Sequence, residues 1–325
     1  MVPIKRLLVA TDFSKGAEGA LNYASFLATV WSARLKILHV QEADMAFLDR
    51  LSLGNKLSPK RSGEEIDQRL DALRARLAQR DLVVEAQQLI GIPNLQIIQA
   101  AKEWGADLIV LGTQGQTGGN HLLFGSTAAW VVRGAPCPVL VIPRAEIQGH
   151  KVLHQSHSVS PDIRRIVVPV DFSKCSLEAV DYVVPVARHF NASVTLLYVM
   201  ESLTFDLYFK LTHPPHMSRT LWKIRSQLSD LTVFLRKQGL QVQDEVVEGK
   251  FAMEAILGRI HERRPDLVVM GTHGRRGFSR LLNGSITESV LHRAQYPILT
   301  VKSPTFPEEN PSNPSKKSSQ EMAMA

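Results

Sequence analysis

The chain contains the same stretch of sequence twice, and this duplication limits the folds available to it more than any other feature. Ile4–Lys15 (IKRLLVATDFSK) returns as Ile163–Lys174 (IRRIVVPVDFSK), 159 residues further on. Asp107–Gly115 (DLIVLGTQG) returns as Asp266–Gly274 (DLVVMGTHG) with the same offset. Separate blocks that keep one offset indicate a duplicated domain. The fold must therefore be one small domain formed twice.

The repeats also set the domain boundaries. We expect repeat one at residues 1–143, a linker at 144–160, repeat two at 161–302 and a tail at 303–325. The linker lacks apolar periodicity, and the tail is rich in Pro, Ser, Asn, Glu and Lys, a composition typical of disordered segments. Residues 41–63 and 201–220 differ most between the repeats, and we predict that they form loops.

Within each repeat, short apolar runs alternate with segments of helical periodicity. Near-continuous apolar strands separated by helices indicate a parallel sheet covered on both faces. We therefore predict an α/β fold made of two tandem doubly wound parallel sheets with five strands each. The predicted strands are residues 4–10, 34–40, 82–89, 107–112 and 138–142 in repeat one, and 163–170, 193–199, 241–247, 266–271 and 297–301 in repeat two.

Composition narrows the classes of partner. Lys and Arg number 38 against 31 Asp and Glu, a mild positive excess that favours anionic ligands such as nucleotides. No basic stripe is interleaved with aromatic residues, so nucleic acid is not the expected partner. Cys137 and Cys175 form no disulfide framework and are expected to be small buried residues in a reducing compartment. With no apolar run near the ~20 residues of a membrane span, and no secretory signal pattern, we expect a cytoplasmic protein that does not associate with membranes.

Two elements follow predicted strands in both repeats, at the sheet edge where such folds bind ligands. The first is the Asp-Phe-Ser sequence after strand one, with Asp12 in repeat one and Asp171 in repeat two. The second is a glycine loop after strand four, in which two glycines, nine further residues and a Gly-Ser pair precede a helix. Its residues are Gly112, Gly115, Gly125 and Ser126 in repeat one, and Gly271, Gly274, Gly284 and Ser285 in repeat two.

Glycines let the backbone approach a ligand and adopt positive φ, and a helix start offers unpaired N–H groups to phosphate. The loop is not a Walker A sequence, because no Lys-Ser/Thr follows the last glycine, and it lacks the dinucleotide GxGxxG spacing. Repeat two adds a capping box that ends at Glu288. It also has three loop arginines where repeat one has Gln116, Thr117 and His121, so we expect stronger phosphate binding there; these arginines are Arg275, Arg276 and Arg280.

At these residues the sequence closely resembles the universal stress protein family in its tandem-domain form. The closing segment Ala135–Ile142 shares the likeness, which covers most of 1–143 and 161–302. The resemblance implies the adenine nucleotide alpha hydrolase-like fold, and repeats that pack as a pseudo-dimer through their last strands. It also implies a stress-response function with ATP as ligand, with or without Mg²⁺. Ribose and phosphates would lie on the glycine loop, and adenine near the strand-one aspartate and the end of strand two; the latter residues are Asp12, Val40, Asp171 and Val199.

Other candidates are weaker. Asp107 and Asp266 precede strand four at its opposite end, so a capping role is favoured over catalysis. His154, His157, His213 and His216 have no third ligand at recognisable spacing, and no metal site is predicted. No nucleophile–base–acid set appears in both repeats, so an enzyme is not favoured beyond slow ATP hydrolysis. A scaffold with empty pockets, a homodimer and unknown protein partners stay open.

Overall fold

Two similar α/β repeats follow each other in the chain. The computed structural model describes residues 4–42, 60–113, 124–143, 162–201, 215–272, 286–293 and 295–302. Within these residues lie ten strands and eight helices. In chain order they are β1 (Arg6–Ala10), α1 (Lys15–Trp31), β2 (Arg34–Glu42), α2 (Lys60–Ala78), β3 (Val84–Gly91), α3 (Pro93–Trp104), β4 (Leu108–Gly112), α4 (Ser126–Gly134), β5 (Val139–Ile142), β6 (Arg165–Pro169), α5 (Lys174–Phe190), β7 (Ser193–Glu201), α6 (Pro215–Lys237), β8 (Gln241–Gly249), α7 (Ala252–Arg263), β9 (Leu267–Gly271), α8 (Ile286–Arg293) and β10 (Ile298–Val301).

The strands of each repeat form a parallel sheet in the spatial order 3-2-1-4-5, as the order β3-β2-β1-β4-β5 and its counterpart β8-β7-β6-β9-β10 show. The order reverses direction between the first and fourth strands, which is the topological switch of a doubly wound fold. The prediction of a doubly wound parallel sheet in each repeat is confirmed.

The two sheets join into one sheet of ten strands. β5 and β10 pair antiparallel, with Leu140 opposite Leu299, and the Thr300 hydroxyl donates to the Val139 carbonyl at 3.0 Å. The packing of the repeats through their last strands, which the family resemblance implied, therefore takes the form of continuous β pairing. We call the β5–β10 pairing and the helices beside it the seam.

Helices cover both faces of this sheet. The core on one face is formed with α1, α2, α5 and α6, and the core on the other with α3, α4, α7 and α8. The central strands are buried from both sides, so Leu7, Leu8 and Val9 of β1 are fully inaccessible to solvent. This explains why those strands are apolar at consecutive positions and not at alternate ones.

The observed strands lie within about two residues of the predicted ones at each end. The predicted loops were too long, because residues 41–42 and 201 extend strands and residues 60–63 and 215–220 belong to α2 and α6. The predicted linker and tail lie entirely outside the described residues, and the domain boundaries stay predictions. None of the described helices is long and apolar enough to cross a membrane.

Candidate functional site

The two predicted site elements of repeat one leave neighbouring strands at the same edge of the sheet. β1 pairs in parallel with β4, with Val9 opposite Val110. Asp12 is three residues after Val9 and Gly112 is two residues after Val110, so both lie just beyond this paired position. β6 and β9 repeat the arrangement, with Val167 opposite Val268. The switch point thus brings together segments about 100 residues apart in sequence, in both repeats.

The aspartate after strand one forms the same turn in each repeat. In repeat one, Asp12 Oδ1 accepts from the Ser14 N–H at 3.0 Å, and the intervening Phe13 has φ +61°. Ser14 then caps α1 by accepting from the Ala17 N–H at 3.2 Å. A bulky side chain in the left-handed region is unfavourable by roughly 1–2 kcal/mol, so the surrounding contacts must impose it.

Repeat two reproduces this turn residue by residue. Asp171 Oδ1 accepts from the Ser173 N–H at 3.0 Å, Phe172 has φ +60°, and Ser173 caps α5. Each carboxylate is half-buried at the switch point, held by its own backbone. The aspartates therefore have a structural role in addition to any ligand contact, which their position in the sequence did not reveal.

An aromatic layer lies beneath this turn. The Phe13 and His39 ring centroids are 4.8 Å apart, and His39 Nδ1 donates to the Thr11 carbonyl at 2.8 Å. Because a carbonyl oxygen only accepts, Nδ1 must carry the proton. Phe172 and Tyr198 occupy the same places in repeat two, with centroids 5.5 Å apart.

A cation approaches the site of repeat one from α2. The Arg69 guanidinium carbon lies 4.2 Å from the centroid of the Phe13 ring, a cation–π contact. Arg69 gives no sequence signal for this site, because its helix follows a segment with no counterpart pattern in repeat two.

Val40 and Val199 lie near the carboxyl ends of β2 and β7, where Val40 is opposite Leu89 and Val199 is opposite Val247. The segment after β1 is joined to β2 by a hydrogen bond from the Thr11 N–H to the Leu38 carbonyl at 2.9 Å. The predicted adenine region is thus one strand away from the aspartate turn.

Close packing explains why the first loop residue of each repeat is a glycine. A Cβ at Gly112 would lie 2.8 Å from the Gly16 carbonyl oxygen, and one at Gly271 would lie 2.6 Å from the Cys175 carbonyl carbon. The first turn of α1 or α5 therefore rests directly on the end of the fourth strand. None of Gly112, Gly125 and Gly271 has positive φ, so that part of the sequence argument is wrong for the described loop glycines.

The base of each glycine loop is closed by a hydrogen bond. In repeat one, the Gly125 N–H donates to the Thr113 carbonyl at 2.7 Å. In repeat two, the Thr287 hydroxyl donates to the Gly271 carbonyl at 2.7 Å. Ser126 begins α4 after Gly125, the N-cap residue, which makes no side-chain capping bond. The start of α4 is thereby fixed next to β4, and its N-cap residue, a glycine, has no side chain to cap the first N–H groups.

Several predicted site residues lie outside the described residues, and their placement stays a prediction: Gly115, Gly274, Arg275, Gly284 and Ser285. The same holds for three of the four histidines weighed as metal ligands, while the fourth, His216, falls in α6 without a described side chain. Within the described ranges, no group of three or more His, Cys, Asp and Glu side chains is placed to hold a metal ion.

Asp107 and Asp266 anchor the opposite edge of the sheet. The Oδ2 atom of Asp107 accepts from the Lys5 and Arg6 N–H groups at 2.8 and 2.9 Å. Asp266 does the same for Arg164 and Arg165 at 2.9 Å. These aspartates bind backbone N–H groups as a capping residue does, but at the start of the first strand and not at the helix-to-strand junction where capping was expected.

Displaced pKa values occur along the seam. Burial, reinforced by the charge of Asp107, raises the pKa of Cys137 to about 12. Burial likewise raises the pKa of Tyr23 and that of Tyr182, which are 159 residues apart and so occupy equivalent positions. A thiol with so high a pKa stays protonated at neutral pH, which makes Cys137 a poor nucleophile or metal ligand.

Comparison with known proteins agrees with the duplicated fold. A family model described as "Universal stress protein family" matches residues 3–143 and again 162–302. Universal stress protein MJ0531 of Methanocaldococcus jannaschii is 32% identical over 150 residues, covering 43% of this chain and 83% of that protein. Universal stress protein Rv2005c of Mycobacterium tuberculosis is 23% identical over 311 residues, covering 91% of this chain and 96% of that protein.

Among solved structures, a universal stress protein from Archaeoglobus fulgidus superposes with a TM-score of 0.66 at 20% sequence identity. The match covers 93% of this chain and 99% of that chain. The likeness at this identity concerns the fold, and it extends over both repeats.

Proposed function

The chain belongs to the universal stress protein family, and from that membership and the geometry of its switch points we propose that it is an ATP-binding stress-response module. Each repeat offers one nucleotide site at the carboxyl edge of its first and fourth strands. Binding of ATP would order the site loops and so change the surfaces available to partners. A ligand does this only when it binds one loop arrangement better than another.

One observation carries the proposal: both repeats place the same aspartate turn and the same packed end of the fourth strand at the switch point, and each closes its loop base with a hydrogen bond of its own kind. At each switch point a half-buried aspartate lies in a turn that the surrounding contacts impose. The end of the fourth strand packs directly against the first helix, and a hydrogen bond closes the base of the glycine loop. In repeat one the N-cap residue of the helix beside them is Gly125, which has no capping side chain of its own, and such a helix start suits an anion. Such a half-site fits a ligand with hydrogen-bond donors at one end and phosphates at the other.

The residue roles follow from these positions. Asp12 and Asp171 would accept from the adenine edge, and the backbone at Val40 and Val199 would contact the same ring. The loop residues Gly112, Gly115, Gly125 and Ser126, and their counterparts Gly271, Gly274, Arg275, Gly284 and Ser285, would hold ribose and phosphates. Mg²⁺, where present, would be held mainly by the phosphates, since each site offers one aspartate.

Native mass spectrometry of freshly purified protein tests the proposal directly. Mass additions that correspond to one or two ATP molecules are expected, and added ATP should raise the melting temperature. We expect Gly284→Val to remove more bound nucleotide than Gly125→Val, because the loop of repeat two carries more positive charge. Gly258→Ala is a matched control, since a Cβ at Gly258 in α7 has no neighbour within 4 Å.

Two results would contradict these expectations. Equal losses from the two valine variants would refute the ranking of the sites. Protein that carries no adenine nucleotide, and that shows neither heat nor thermal stabilisation with ATP, would refute nucleotide binding and favour a scaffold with empty pockets.

A further inference from the structure

The outer side of helix α6 carries large apolar side chains that are open to solvent. Trp222 is 72% exposed and Val233 is 43% exposed. Ser226 and Ser229 lie between them, so the four residues follow each other at intervals of four, three and four. At 3.6 residues per turn these intervals form one row along the helix, on the side opposite the buried Ile224. We call these four residues the α6 row.

The equivalent helix of repeat one has a polar outer side. Buried leucines fix the correspondence, because Leu70 and Leu77 of α2 match Leu228 and Leu235 of α6, 158 residues further on. With this offset, the positions of the α6 row are occupied in α2 by four exposed residues, of which only one is apolar: Glu64, Gln68, Asp71 and Ala75. The fold therefore tolerates a solvated surface at these positions, and the apolar row is particular to repeat two.

The α6 row is complementary to a second copy of itself. Trp222 and Val233 lie at equal distances from the midpoint of the row, and so do Ser226 and Ser229. When two such helices pack antiparallel about a two-fold axis at that midpoint, Trp222 of each copy lies against Val233 of the other. The serines then face each other, and their small side chains allow a short distance between the helix axes. Intervals of four and three are also those of the contact positions in a coiled coil.

The charges beside the row favour the same arrangement. Lys223 and Asp230 are exposed, and each directly follows a residue of the α6 row, so both lie on one flank of it. In an antiparallel pair about a two-fold axis, like flanks face each other, and Lys223 of one copy meets Asp230 of the other. In a parallel pair, Lys223 would face the flank that carries Arg225, which has the same charge. The flanking charges therefore select the antiparallel orientation.

We propose that the α6 row is a self-association surface through which two copies of this chain form an antiparallel, reversible dimer. The occupant is a second copy because the apolar residues, the serines and the flanking charges all match under one two-fold axis. The inference goes beyond the proposed nucleotide binding and does not depend on it.

The size of the contact sets the strength of the dimer. From Trp222 to Val233 the row measures about 17 Å along the helix. A contact of this length between two helices buries less than the roughly 1,200 Å² of a stable standard-sized interface. Burial of two tryptophans at its ends should give a dissociation constant on the order of 10–100 μM.

Sedimentation equilibrium of the full chain without nucleotide, at about 5–500 μM, tests the proposal. The unaltered protein should change from monomer to dimer over this range. Trp222→Glu introduces the residue type of Glu64, its counterpart in α2, and should weaken association at least tenfold. Trp130→Glu is the matched control, because it makes the same change at a tryptophan of α4 that is 56% exposed. It should dimerise like the unaltered protein.

Charge variants test the orientation of the two helices. Lys223→Glu would face Asp230 of the other copy, and Asp230→Lys would face Lys223, so each should weaken the dimer about three- to tenfold. The double variant Lys223→Glu/Asp230→Lys should recover to within about twofold of the unaltered protein, because an antiparallel pair only exchanges the two charges. A double variant that does not recover would refute the antiparallel arrangement.

Two outcomes of the sedimentation experiment overturn the proposal. Unaltered protein that stays monomeric up to about 500 μM would show that the row serves another segment of the chain or a different protein. Dimers that survive Trp222→Glu would show that the chain associates through another surface. Since no nucleotide is present, neither result bears on ATP binding.

Discussion

An alanine at position 271 would place its Cβ inside the first turn of α5. That atom would lie 2.6 Å from the carbonyl carbon, 2.8 Å from the carbonyl oxygen and 2.8 Å from the Cβ of Cys175. Ordinary contacts of this kind begin near 3.4 Å, and a backbone carbonyl cannot rotate away as the end of a flexible side chain can. Either α5 moves off the sheet or β9 bends, and both elements are central to repeat two.

The magnitude follows from the nature of the obstruction. Forcing an extra carbon into a filled core destabilises a protein by about 1–3 kcal/mol, and an obstruction by backbone belongs at the upper end. Gly112→Ala should also lower the free energy of unfolding, but by less, since its Cβ would lie 2.8 Å from the Gly16 carbonyl oxygen. Gly258→Ala is the matched control: it adds the same methyl group within α7, where nothing lies within 4 Å, and should stabilise by about 0.5–1 kcal/mol.

Thermal unfolding followed by circular dichroism, without nucleotide, measures these differences. At roughly 2–4 °C per kcal/mol for a domain of this size, a loss of about 2–3 kcal/mol means that Gly271→Ala should lower the melting temperature by about 4–12 °C. Gly258→Ala should raise it slightly. If Gly271→Ala has the same melting temperature as the unaltered protein and loses only ATP binding, then this glycine is needed for the ligand and the packing explanation is wrong.

Two further predictions concern the seam. Because the pKa of Cys137 rises to about 12 from 9.0, the folded thiol holds its proton after the unfolded one has lost it; stability should therefore be unaffected below pH 9 and fall by about 1.4 kcal/mol per unit as pH rises towards 12. Urea midpoints at pH 8 and pH 10.5 should show a smaller loss in Cys137→Ala, and equal losses would contradict the assignment. The buried Tyr23 hydroxyl has no hydrogen-bond partner among the described residues, so Tyr23→Phe should leave the free energy of unfolding unchanged or raise it by about 1 kcal/mol. Tyr182→Phe, at the equivalent half-buried position, is the comparison, and a loss above 1 kcal/mol in Tyr23→Phe would indicate a bond to that hydroxyl.

The amino-acid sequence determined the elements and their order. Strands such as 107–112, observed as Leu108–Gly112, were predictable because a short continuous apolar run between helical segments is visible in the local sequence. The duplication also indicated that Asp12 and Asp171 occupy equivalent positions after the first strand of each repeat. The switch point followed as well, since a parallel sheet of alternating strands and helices restricts where the strand order reverses.

The tertiary structure decided which distant residues meet. Arg133 and Glu288 are 155 residues apart, and nothing in their local sequences indicates a pair. Local sequence likewise does not indicate that Arg69 contacts the Phe13 ring, or that α5 lies so close to β9 that only glycine fits at position 271. Local sequence encodes periodicity and turn chemistry, whereas these contacts depend on how β5 pairs with β10 and how tightly each first helix lies on its sheet. Only the Arg133–Glu288 contact joins the two repeats, whereas the other two form within one repeat where its helices pack on its sheet.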